Sequence, residues 1–171
     1  MGVNRHKEHI VVFLEDKPYR DIMNGVTSSL NVKNTVIDIK NPCGGWSKVF
    51  EEFEKNIFLL NKYPLCSILL LMDFDDKTSD GLDLFHQRME IFREIVPKEY
   101  VNRVFLLGAN HKESEALKRY FTKSNFEEVG KILIEDCPNG NSKWNNTHLE
   151  CNLNEINRMQ EFGIFNWLFT A

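Results

Sequence analysis

Two groups of carboxylates carry the chemistry open to this sequence: Glu15 with Asp16, and Asp73 with Asp75 and Asp76. Neighbouring carboxylates repel, and a cluster is best sustained when its members share a hard cation; Mg2+ takes such oxygen ligands, with water completing its octahedron. In an extended segment Asp73 and Asp75, two residues apart, point to one side while Phe74 points away to pack. That spacing suits a shared ion. Acids after strands also serve as loop starts and N-caps. Here, however, Asp73-Phe74-Asp75-Asp76 directly follows a seven-residue apolar run and Glu15 ends another, a pattern that favours a functional cluster.

The elements that must position these acids follow from the hydrophobic pattern. His9 to Leu14 (HIVVFL) reads as a buried strand ending at Glu15. Pro18 suits the first turn of a helix, and Tyr19, Ile22, Met23, Val26 and Leu30 recur behind it at helical spacing. Asn34 to Ile39 predicts a second strand, closed by the turn signals of Asn41-Pro42-Cys43-Gly44-Gly45. A helix from Trp46 through Leu60 should follow. Cys66 to Met72 (CSILLLM) is almost wholly apolar, as expected for a strand covered on both faces, and runs into Asp73. A helix over Leu82 to Ile95, a strand over Val101 to Leu107 and a helix from about Lys112 to Phe121 complete the pattern. The alternation predicts an α/β, Rossmann-like three-layer fold with a mainly parallel four-stranded sheet, whose ligands belong at the carboxyl ends of the strands. Residues 124–171 should form a helical extension, with helices around Phe126 to Ile134 and Thr147 to Phe162, packed on the same domain. A single domain over 1–171, with its core at about 9–123, is the expectation for 171 residues at 42% hydrophobic.

The chain shows neither a secretory leader nor an apolar run long enough for a bilayer, so no membrane association and a cytoplasmic location are expected. Cys43, Cys66, Cys137 and Cys151 form no CxxC pair and are read as reduced thiols. His148 and Cys151 share a helical spacing, and Cys137 could add a third zinc ligand, but scattered pairs of this kind are usually incidental. A net charge of -4 argues against strong autonomous binding to nucleic acid.

Several site chemistries fail on particular residues. A phosphoaspartate phosphatase would need Thr or Val where Lys77 stands, and no P-loop occurs, since Asn41 to Lys48 does not supply one. A phosphoacceptor receiver pairs acids after its first and third strands, which Glu15, Asp16 and Asp73 mimic, but its later lysine signature is missing. Glu15 at the end of the first strand, with Asp73-Phe74-Asp75 at the end of a later one, resembles the TOPRIM domain shared by topoisomerases, primases and overcoming-lysogeny-type nucleases. The resemblance spans about residues 9–123. Where that family continues with Gly after its Glu, this chain has Glu15-Asp16-Lys17-Pro18.

The resemblance implies that Glu15 is the general acid or base at a scissile phosphate, that Asp73 and Asp75 hold Mg2+ or Mn2+, and that Asp76 assists. Lys17 and Lys77 flank the motifs and could neutralise phosphate, and Gly44 and Gly45 could shape the rim. Small TOPRIM-like proteins also resemble nuclease components of prokaryotic defence modules. The expectation is therefore a metal-dependent nuclease or phosphoryl-transfer protein acting on nucleic acid with a partner, such as an ATPase. The alternative is a non-catalytic TOPRIM-like interaction module that recruits a partner through Trp144, Phe162, Phe165, Trp167 and Phe169. No topoisomerase is implied, because no strand-passage domain is present.

Overall fold

The apolar runs form strands because helices cover both of their faces. The computed structural model describes residues 2–74, 84–110, 114–137 and 140–170. Within them β1 (His9–Leu14) and β3 (Cys66–Leu71) are buried at every position. They pair in parallel from His9 opposite Cys66 to Leu14 opposite Leu71. β2 (Ile37–Ile39) pairs with the other side of β1, and β4 (Val104–Leu107) with the other side of β3, giving a parallel sheet of order β2-β1-β3-β4. This is the α/β, Rossmann-like three-layer architecture predicted from the alternation.

Side-chain alternation along the strands divides the core. Ile10, Val12, Leu14, Leu69, Leu71, Phe105 and Leu107 face one layer, which holds α1 (Lys17–Ser28), α5 (Glu115–Tyr120), α6 (Phe126–Asp136), α7 (Leu153–Glu161) and α8 (Ile164–Leu168). Val11, Phe13, Ile68, Leu70, Met72, Val104 and Leu106 face the other, built from α2 (Trp46–Asn56), α3 (Phe58–Lys62) and α4 (Leu84–Ile95). In the first layer α1 and α6 touch backbone to backbone. A Cβ at Gly25 would lie 2.0 Å from the Glu127 carbonyl oxygen, and one at Gly130 would lie 1.9 Å from that of Ile22. Both glycines therefore serve close approach, which outweighs their poor helix propensity.

Several predicted boundaries shift, among them that of the tail helix expected from Thr147, which starts at Leu153 after a 3-10 turn over Glu150–Asn152. Asn34–Val36 is a 3-10 turn, and β2 shortens to the three residues that pair with Ile10, Val11 and Val12. Lys98–Arg103 is also 3-10, because the Arg103 guanidinium binds the carbonyls of Leu60, Tyr63 and Cys66 at 2.8 Å and β4 starts only after it. The helix from Trp46 breaks at Ile57, whereupon Leu59 and Leu60 enter the core. Leu30 lies beyond the end of α1 and is 97% exposed, so it does not belong to the buried stripe.

The residues after 124 bring Leu133, Trp144, Ile156 and Leu168 into the α1 layer, and they also close the outer edge of β4. There Glu155 Oε2 accepts the Leu106 N–H at 2.9 Å, and Arg158 donates to the carbonyls of Val104, at 2.6 Å, and Val101. Asn152 clasps Gly108, accepting its N–H at 2.9 Å and donating to its carbonyl at 2.8 Å. Side chains of one helix and the turn before it thus take the place of a fifth strand. Among the described residues, no helix is long and apolar enough to cross a membrane.

Candidate functional site

In a sheet of order β2-β1-β3-β4 the chain leaves β1 toward one edge and β3 toward the other, so a crevice opens between their carboxyl ends. Glu15 and Asp73 stand at that switch point. The Glu15 N–H continues the sheet by donating to the Leu71 carbonyl at 3.0 Å, and Glu15 Oε2 accepts the Asp73 N–H at 2.7 Å. Contact between residues 58 positions apart in sequence is thereby a hydrogen bond from one acid's backbone to the other's carboxylate.

Asp73 is 7% exposed, and its Oδ1 accepts the Tyr19 hydroxyl at 2.6 Å and the Ser114 N–H at 3.1 Å. The Tyr19 oxygen in turn accepts the Ala109 N–H at 3.1 Å. Burial first, then the adjacent Asp73 charge, raises the Tyr19 pKa well above 10, so its proton stays in place to donate. Pairing continues past β4, where the Phe74 N–H donates to the Ala109 carbonyl at 2.8 Å and a Cβ at Gly108 would lie 1.8 Å from the Met72 carbonyl oxygen. On the other side of Glu15, the Gly44 N–H donates to the Glu15 carbonyl at 2.9 Å from a backbone with φ +95°, a conformation that favours glycine.

Of the sequence-derived residues, Glu15 and Asp73 are brought together, and Phe74 turns inward as expected, fully buried with its ring 5.1 Å from that of Phe85. Asp16 is half-buried at the N-cap of α1. Asp75, Asp76 and Lys77 lie outside the described residues. Lys17 pairs with Asp21 at 2.6 Å along its own helix, which raises its pKa. Arg88, which the apolar pattern of α4 passes over, is 4% exposed and stacks with its guanidinium carbon 3.5 Å from the Trp46 ring centroid.

Tyr19 and Ser114 were not legible as site residues. Tyr19 fits the apolar stripe of α1, and only the fold reveals that its hydroxyl crosses to Asp73. Among the described residues, no group of three His, Cys, Asp or Glu side chains could hold a metal ion, the pair Glu15 and Asp73 lying at the boundary of the undescribed stretch 75–83. Cys137 is buried, with its thiol pushed up to about 12 by that burial; Cys151 Sγ faces the Gly108 carbonyl, and His148 Nδ1 that of Asn110. Of the five tail aromatics, Trp144 is buried, Phe165, Trp167 and Phe169 pack half-buried on the core, and Phe162 is 38% exposed. No family model, curated protein or solved structure matches this chain.

Proposed function

We propose that this protein is a TOPRIM-like, Mg2+- or Mn2+-dependent phosphoryl-transfer protein that cleaves phosphodiester bonds in nucleic acid, working with a protein partner such as an ATPase. The observation that carries the reading is the hydrogen-bonded convergence of Glu15 and Asp73 at the β1/β3 switch point. Carboxylates at the two strand ends suit a hard cation, and Glu15, Asp73, Asp75 and Asp76 are the residues that would hold it. When bound, the ion would offset negative charge on the phosphoryl oxygens. Glu15 supplies the general acid or base, its carboxylate anchored through Oε2 to the Asp73 N–H. Asp73 Oδ1 is oriented by Tyr19 and Ser114, so the ligand is set before substrate arrives. The formal charge of -4 leaves little general attraction for a polyanion, which is why a partner is part of the proposal.

The test is cleavage of single- and double-stranded DNA and RNA with Mg2+ or Mn2+, with and without co-purifying proteins. Glu15→Gln and Asp73→Asn should each reduce metal-dependent cleavage by at least ~100-fold, the scale of loss for a principal catalytic group. Wild-type rates in both variants would overturn the assignment.

A further inference from the structure

We propose that the layer between the sheet and helices α1, α6 and α7 contains a binding site for one compact apolar molecule, no larger than benzene. The observation is a cavity of about 100 Å3 whose wall includes Val12, Val26, Leu133 and Met159. Voids larger than a water molecule are few in a packed interior. An apolar space does not hold water, which needs two to four polar partners, whereas an engineered apolar cavity of ~150 Å3 takes up benzene or xenon.

The wall is apolar even where its residues are not. Tyr19 turns its hydroxyl to Asp73 and Ala109, Asn152 commits its amide to Gly108, and Trp144 donates its indole N–H to the Leu133 carbonyl at 3.0 Å. Each presents carbon to the space and directs its polar atoms elsewhere. Met23 and Met159 supply flexible thioethers that can adjust to an occupant's shape. The recognised chemistry is therefore shape and dispersion, with no charge or hydrogen bond asked of the ligand. This inference is independent of the acidic site and survives if that site is inactive.

Xenon is the probe, followed by methyl-resolved NMR of the full chain under increasing gas pressure. The expected result is saturable shifts concentrated on the methyl groups of Val12, Val26, Leu133 and Met159, together with a rise in Tm in benzene-saturated buffer. Val26→Leu and Val12→Ile, made separately to fill the space, should each weaken the xenon response at least fivefold. Diffuse, non-saturating shifts in the wild-type protein would overturn the proposal, as would an undiminished response in both folded variants. If neither variant folds, the wild-type titration decides.

Discussion

A glutamate carboxylate receives a backbone N–H both at the β1/β3 crevice and at the outer edge of β4. At the edge, Glu155 accepts from Leu106 and is neutralised by Arg158 at 2.8 Å, while the same arginine binds the strand's carbonyls. In the crevice, Glu15 accepts from Asp73, and Asp73 is oriented by a tyrosine hydroxyl and a backbone amide. An ion pair built into the edge completes a backbone and leaves its carboxylate committed. At Asp73 the Oδ1 contacts from Tyr19 and Ser114 come instead from a hydroxyl and a backbone amide, donors that carry no charge of their own. The contrast lies in the donors: a guanidinium at the β4 edge, a hydroxyl and a backbone amide at Asp73 Oδ1.

Exchanging the roles is the strongest way to break this comparison. Asp73→Asn keeps an oxygen for Tyr19 and Ser114, so we expect cleavage to fall by at least ~100-fold while Tm moves by only a few degrees, measured by nuclease assay and thermal melt. Glu155→Ala should do the reverse. It strands Arg158 and the Leu106 N–H, costing about 3–5 kcal/mol, or a Tm drop of roughly 6–20 °C, with cleavage per folded molecule retained.

Asn152→Ala, which releases both polar groups of Gly108, should cost about 2–3 kcal/mol in urea unfolding. Alkaline titration gives a smaller and graded effect. Burial raises the Cys66 thiol from 9.0 to about 11 and the Cys137 thiol from 9.0 to about 12. Above pH 9 the unfolded chain therefore releases these protons while the folded chain keeps them. Stability is full below pH 9 and declines as pH rises toward 11 and 12, by up to about 1.4 kcal/mol per pH unit for each thiol. Cys137→Ala should flatten that decline in pH-dependent melts.

The smallest expected effect is a Tm rise of about 1–4 °C in millimolar Mn2+, present in the wild-type chain and in Glu155→Gln but absent in Asp73→Asn. A rise that persists in Asp73→Asn would place the ion elsewhere.

What the sequence made legible follows the same division. β1 and β3 could be read because a parallel strand covered on both faces is a continuous apolar run, and the acids ending those runs could be read with them. The start of β4 could not, since Val101 and Val104 look alike in a window while the contacts of Arg103 with three distant carbonyls hold the preceding residues in a 3-10 turn. Leu30 continues the spacing of α1 on paper, yet the helix ends at Ser28. Tyr19 was assigned correctly to the buried face, but its ring says nothing of where its oxygen reaches. Asn152, Glu155 and Arg158 read as ordinary polar helix residues because their partners are backbone groups, which carry no residue identity in the sequence.

The covering of β4 also has a timetable. The strand is complete at Leu107, but Asn152, Glu155 and Arg158 follow only about 45 residues later, a delay of a few seconds at ~5–20 residues per second of synthesis. During that interval the outer edge of β4 lacks the side chains that cover it, and an uncovered strand edge is a template for pairing with another chain. Residues 152–158 thus cover the β4 edge only after the strand itself has been made.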